Sequence, residues 1–270
     1  MTSLRSWRLA LPMYNVTPAL GRVWQAVLHA IADTLRRQGW QEPMELVEPA
    51  ELMDFWRAPD LLLSQTCGYP LVTELRKDVR VLAVAEFDLP GCEGPMYRSA
   101  ILVPELGARA VEELRGKVAA MNQPRSHSGM NALRHAIAPH ALGGRFFSDV
   151  VASGGHLASM RMLQDGRADV AAIDCVTLGL ACRHAPESVA GLRQLQYTQA
   201  APGLPLIGSR RLTDAQAAHI RQVLLDLPQA APELLAPLAI RRFSTVGLAD
   251  YQQITLQQQA AIEWGYPVLA

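Results

Sequence analysis

The segment Asn122-Gln123-Pro124-Arg125-Ser126-His127-Ser128-Gly129-Met130 gathers hydroxyls, an imidazole and a glycine into one turn. An apolar strand, Lys117–Met121, is expected to run into it, and a helix, Ser128–Ala138, to open from it. Either Ser126 or Ser128 can cap that helix. Free N–H groups at a helix start, together with hydroxyls and the helix dipole, make an anion site. The local charge agrees: Leu114 to Ser148 holds no Asp or Glu, but does hold Arg115, Lys117, Arg125, Arg134 and Arg145. An ordinary capped helix with a solvated basic face is the plainer reading of the same residues.

Ala152-Ser153-Gly154-Gly155-His156 repeats the design. A strand ends in serine and glycine, a helix begins near His156, and the ring can donate to an oxyanion or simply face water. Ile173-Asp174-Cys175 puts an acid at the end of another strand. Asp174 can bind a cationic or hydroxyl part of a ligand, or it can cap the following helix. Ligands of open α/β sheets gather at the carboxyl ends of strands, where all three segments lie. A fourth strand-end loop, Ser64–Pro70, carries Tyr69, and Tyr14 and Tyr97 occupy comparable edge positions. Tyrosines line sites because they join apolar area to a polar tip, though any one of them is more often simple core or rim. Glu93 sits in the special-residue loop Asp88-Leu89-Pro90-Gly91-Cys92-Glu93-Gly94-Pro95.

Other chemistries find less support. No C-x-x-C or His/Cys ligand spacing suggests a metal. No phosphate-loop or dinucleotide fingerprint appears, so no cofactor is expected. There is no G-x-S-x-G elbow. Ser126 or Ser128 with His156 and Asp174 can be drawn as a catalytic triad, but donors to an anion are the simpler use of serines at helix starts. Cys67 and Cys92 fall in loops, and their pairing is left open. Cys175 and Cys182 are placed on one helix face and expected to be buried.

These residues must be positioned by an α/β scaffold. The chain has 270 residues, 50% of them hydrophobic and 19% charged, which is a globular composition. Lys+Arg and Asp+Glu are both 25, so a global attraction to nucleic acid or an anionic membrane is not expected. The apolar runs are too short for membrane insertion. Leu20–Gln38 reads as a helix, with Val23, Val27, Ile31 and Leu35 on one stripe and Gly39 as its stop. Short strands alternate with helices, which predicts βαβ units and mostly parallel sheets flanked by helices. Pro/Gly-rich segments near residues 88–96 and 199–205 divide the chain into a discontinuous first lobe, residues 1–96 plus 200–270, and a second lobe, residues 97–199, with a ligand cleft between them. Periodicity also admits one larger doubly wound domain. Trp7–Met13 is broken by Arg8 and Pro12, so the chain shows no export signal. As it stands it reads as cytoplasmic; with an upstream start it becomes periplasmic.

The motifs resemble the phosphate/phosphite/phosphonate substrate-binding proteins of ABC transporters, a type 2 periplasmic-binding-protein group. Pro124-Arg125-Ser126-His127-Ser128-Gly129 is similar to that family's D-P-x-S-x-S-G turn, Ser153-Gly154-Gly155-His156 to its S-G-x-H segment, and Asp169-Val170-Ala171-Ala172-Ile173-Asp174 to its D-x-A-A-x-D strand. Cys67-Gly68-Tyr69-Pro70 resembles its first-lobe G-x-P loop. The departures are the absent export signal, Gln123 in place of the aspartate, and His127 between the serines. The resemblance implies a two-lobe type 2 fold that closes by hinge motion on a small phosphate- or phosphonate-type oxyanion, serving an ABC uptake permease or cytosolic sensing. Ser126, His127, Ser128, Gly129 and His156 would hold the oxyanion. Asp174, Tyr14, Tyr69, Tyr97 and Glu93 would read the remainder. The alternative is a cytosolic enzyme on the same scaffold, acting on a small carboxylate or cofactor precursor.

Overall fold

A computed structural model describes residues 6–270. The chain contacts divide it into two compact units. One comprises the residues up to Asp88 together with Pro202–Asp250, the other Leu89–Ala201 together with Tyr251–Ala270. The principal strands are β1 (Trp7–Ala10), β2 (Met44–Leu46), β3 (Leu61–Gln65), β4 (Val79–Phe87), β5 (Ser99–Pro104), β6 (Val118–Met121), β7 (Asp149–Ala152), β8 (Val170–Asp174), β9 (Leu192–Tyr197), β10 (Pro205–Ser209) and β11 (Ile240–Ser244).

In the first unit they form a six-stranded sheet in the order β11-β4-β10-β3-β1-β2. Leu61, Leu62 and Leu63 of β3 and Leu82, Ala83 and Val84 of β4 are fully buried, the pattern of strands covered on both faces. The first helix, Pro18–Arg37, starts where Thr17 Oγ1 accepts a bond from Leu20 N at 3.2 Å and Pro18 sets the first helical φ. Leu20, Trp24, Val27, Leu28, Ile31 and Leu35 form its buried stripe. It ends at Gly39, whose φ of +94° suits glycine.

The second unit holds a five-stranded sheet in the order β9-β5-β8-β6-β7. Pairing in both sheets is mixed, which corrects the expectation of mostly parallel sheets. β1 pairs in parallel with β2 and β3, and β6 with β7 and β8. β10 and β11 pair antiparallel with their neighbours, as do β5 and β9. The local βαβ reading identifies the parallel strands. β5 and β10 enter their sheets after the chain has crossed from the other unit, so no local crossover helix sets their direction, while β9 and β11 pair with strands laid down much earlier in the chain.

The C-terminal segment also departs from the expected division. Residues 251–270 belong to the second unit. The helix Gln252–Glu263 is tied there by Asn131 Nδ2, which donates to Ile254 O at 3.2 Å, and Arg134 donates to Pro267 O at 2.7 Å. Phe146 N and Phe147 N both donate to Ala270 O, at 2.9 and 3.0 Å. Among the described residues no helix is long and apolar enough to cross a membrane, and no group of three or more His, Cys, Asp or Glu is arranged to hold a metal ion.

Candidate functional site

Three adjacent strands of the second unit, β8, β6 and β7, run parallel, so their carboxyl ends share one edge of the sheet. The turn after β6, the Ser153–His156 segment after β7 and Asp174 at the end of β8 therefore converge. The turn is a wide one: Asn131 N donates to Ser126 O at 3.1 Å, giving a π-helical His127–Asn131 ahead of the helix Ala132–Ile137. The expected single helix Ser128–Ala138 is thus split in its first turn, a local widening often found at functional sites. Ser126 is the cap, its Oγ accepting from Gly129 N at 3.1 Å.

Ser128 Oγ lies 2.9 Å from His156 Nε2 and 3.3 Å from Ser126 Oγ. Asp174 Oδ2 stands 3.2 Å from the same ring nitrogen, and Asn122 Nδ2 lies 3.4 Å from it. Asp174 also caps the helix Cys175–His184. Its Oδ1 accepts from Thr177 N at 2.8 Å and its Oδ2 from Thr177 Oγ1 at 2.5 Å. The capping reading of Asp174 is therefore the one observed, and the same carboxylate faces the His156 ring. Burial lowers the pKa of His156, opposed by the Asp174 carboxylate, so the ring is neutral near pH 7. One nitrogen carries at most one proton, yet Ser128, Asp174 and Asn122 all face Nε2. The hydroxyl and the amide are therefore donors that an incoming group can take over. Asn122 Oδ1 is buried without a hydrogen-bond partner.

Gly129 completes the cluster by having no side chain. A Cβ there would fall 2.2 Å from Asn122 Oδ1 and 3.3 Å from His156 Cε1. The helix His156–Gln164 begins at Gly155 with no side-chain cap, leaving its first N–H groups open, and Gly154 supplies the positive φ of +92° that turns the chain into it. Ser153 does not face this opening, since its Oγ lies 2.6 Å from Ser159 Oγ.

Other expected residues fall elsewhere. His127 is buried, and its Nδ1 lies 3.2 Å from Asn131 Nδ2 in a second network that continues through Asn131 Oδ1 to Arg134 at 2.7 Å. Burial, with a smaller contribution from His135, holds its pKa down at about 3. Tyr97 packs beside that ring, centroids 6.2 Å apart. Glu93 lies on an exposed turn closed by backbone bonds to Met96, and its carboxylate makes none of the cluster's hydrogen bonds. Tyr14 and Tyr69 belong to the first unit. Tyr14 follows β1 with φ +64°, its ring 5.5 Å from Phe87, and Tyr69 lies within the short helix Gly68–Pro70. The basic residues flanking the turn are partly used in the scaffold. Arg134 is buried and donates to Pro267 O and Asn131 Oδ1, and Arg115 donates to His140 O while lying over the Phe146 ring. Asn122 is the participant that residue-type reasoning passed over, although its place directly after a strand was the available signal. All the described cysteines are free. Cys92 Sγ lies 3.3 Å from Cys175 Sγ, and Cys182 is exposed rather than buried.

Mixed sheets flanked by helices, with hydroxyls, an amide and an imidazole gathered at the carboxyl ends of parallel strands, place the fold in the type 2 binding-protein class. The chain belongs to the family of phosphonate periplasmic substrate-binding proteins of ABC transporters, whose model matches residues 24–251. It is accordingly a solute-binding protein for small anionic ligands. No curated protein matches it by sequence. Among solved structures it is similar to a binding-protein component of an ABC phosphonate transporter, PA3383 from Pseudomonas aeruginosa, with a TM-score of 0.77 at 15% identity over 97% of this chain and 89% of that one. PhnD1 from Prochlorococcus marinus, solved in complex with methylphosphonate, gives 0.75 at 16% identity over 94% and 97%. XAC2383 from Xanthomonas citri, solved bound to ATP, gives 0.72 at 14% identity over 97% and 98%. At these identities the likeness is one of fold.

Proposed function

We propose that Ser126, Ser128, Gly129 and His156, with Asn122, hold a tetrahedral oxyanion of the phosphonate type, which the protein delivers unchanged to an ABC permease. The observation that carries this reading is the convergence on His156 Nε2. In a catalytic triad the acid bonds one ring nitrogen and the nucleophile the other. Here Ser128 Oγ and Asp174 Oδ2 face the same nitrogen, at 2.9 and 3.2 Å. That geometry supports donors and acceptors set around a ligand rather than a proton relay from serine through histidine to aspartate.

The cluster also contains acceptors. The Asp174 carboxylate and the unpartnered Asn122 Oδ1 favour a ligand oxygen that carries a proton. A singly protonated phosphonate, phosphite or phosphate satisfies both kinds of neighbour, whereas sulfate, unprotonated at neutral pH, leaves the acceptors unpaired. A ligand with an amino or hydroxyl tail offers the same donor chemistry.

Titration calorimetry with methylphosphonate, phosphite, phosphate and sulfate tests this. The three protonatable anions bind, sulfate binds at least tenfold more weakly, and Ser128→Ala loses about 10–100-fold, the worth of one hydrogen bond to a charged group. Phosphorus NMR of the recovered ligand shows it unaltered. Equal affinity for sulfate, or a new phosphorus resonance on incubation, overturns the reading.

A further inference from the structure

The first unit carries a second concentration of chemistry that the oxyanion site does not use. A pocket of about 430 Å³ is lined by Arg76, Arg80, Arg210 and Arg221, with Val79, Val81, Val246 and Leu248 forming an apolar wall. Among the described residues no acidic one lines it. Asp214 reaches Arg80 from an exposed position at 2.6 Å, and Asp78 turns to Arg57, 3.8 Å away. Arg221 spends its Nε on Leu82 O at 3.0 Å, and the Nε of Arg80 is buried without a partner. Four guanidinium groups thus share one pocket with a single carboxylate contact, in a chain of zero formal net charge. Like charges gathered in this way raise the energy of the folded state unless a counter-anion sits among them.

The pocket lies away from the ends that carry Tyr14 and Tyr69. Register places Ser209 opposite Val79 and Gly208 opposite Arg80, so the end of β10 and the start of β4 meet here. Gln65, at the carboxyl end of β3, pairs with Leu206 near the other end of β10. The arginines therefore occupy the sheet edge at which β1 and β3 begin, not the edge at which they end.

We propose that this pocket binds a small organic molecule carrying two or more phosphate groups. Guanidinium forks match phosphate oxygens in pairs. Several arginines at one mouth fit adjacent phosphates better than a single anion, and the valine–leucine wall accepts the organic part.

The test is titration calorimetry on the full chain at low salt, with inorganic pyrophosphate as the probe beside orthophosphate and an oligoglutamate peptide. Pyrophosphate binds one per chain, at least about tenfold more tightly than orthophosphate does at this pocket, and its affinity falls steeply with added salt. The double variant Arg76→Ala/Arg210→Ala, whose exposed side chains leave the fold intact by thermal melt, loses at least about tenfold. Ser128→Ala leaves pyrophosphate binding unchanged, so failure here and failure at the oxyanion site are told apart. Absence of binding at millimolar pyrophosphate overturns the proposal. So does binding indifferent to the arginine substitutions, or lost in Ser128→Ala. Tighter binding of the oligoglutamate peptide overturns it too, and assigns the pocket to an acidic segment of a partner protein.

Discussion

Asp174 is the residue at which the scaffold and the site can be separated by experiment. It accepts from Thr177 N and Thr177 Oγ1, so it caps a helix, and it faces His156 at 3.2 Å. Asp174→Ala removes the cap, which costs about 1 kcal/mol. It also strands the hydroxyl of Thr177, which is 7% exposed, and a buried donor left unpaired costs about 1–3 kcal/mol more. The sum is about 2–4 kcal/mol, or a fall in Tm of about 4–16 °C at 2–4 °C per kcal/mol. Asp174→Asn keeps an oxygen where Thr177 needs it, and asparagine caps as well as aspartate, so its cost stays within about 1 kcal/mol. The asparagine lacks the carboxylate, however, and its affinity for a protonated phosphonate falls while its stability does not. Circular-dichroism melts and calorimetry on the two variants measure both effects. If Asp174→Ala melts within a degree of the parent, or the asparagine variant is equally damaged, the double role assigned to this carboxylate is refuted.

Three further outcomes follow from the same geometry. Gly129→Ala forces its new methyl against the Asn122 amide, 2.2 Å away before relaxation, so it costs about 1–3 kcal/mol of stability and abolishes methylphosphonate binding, as melts and calorimetry will show. His127 is held near a pKa of about 3 by burial, whereas the unfolded chain takes up its proton near pH 6.5. Its contribution is therefore complete above pH 6.5 and is lost as pH falls toward 3, and urea titrations from pH 7 to 4 should show a steeper decline than in a His127→Gln variant. Among the thiols, the exposed Cys182 reacts first with a disulfide reagent, while the buried Cys175 waits for unfolding, an order that peptide mapping after timed quenching reads directly.

The legible parts of the molecule were those with strong local signals. Leu20–Gln38 announced itself by apolar spacing and a glycine stop, and the helix observed there is Pro18–Arg37. Ser126, Ser128 and His156 were visible because hydroxyl, glycine and imidazole cluster at strand ends, and the structure brings them together. β11 was missed: Ile240-Arg241-Arg242-Phe243-Ser244 has only two buried residues, Ile240 and Phe243, and its pairing with β4 comes from far along the chain. His127 looked like a ligand donor because its neighbours are serines. Only the widened turn shows its ring held in a buried network by Asn131. Strand direction was illegible for the same reason as β11, since long-range pairing leaves no local periodicity.

The hydrogen bond from Asn131 to the carbonyl of Ile254 spans 123 residues. At about 5–20 residues per second, the ribosome needs about 6–25 s to make that stretch. The π-turn that carries Ser126 and Ser128 therefore leaves the ribosome well before the helix that braces it from behind. During that interval the nascent second unit has its sheet strands but lacks its final support, and the first unit is likewise waiting for Pro202–Asp250. Each unit depends on chain made after part of the other. Holding the nascent protein soluble across this wait, rather than the speed of any single strand pairing, then sets the yield of binding-competent molecules.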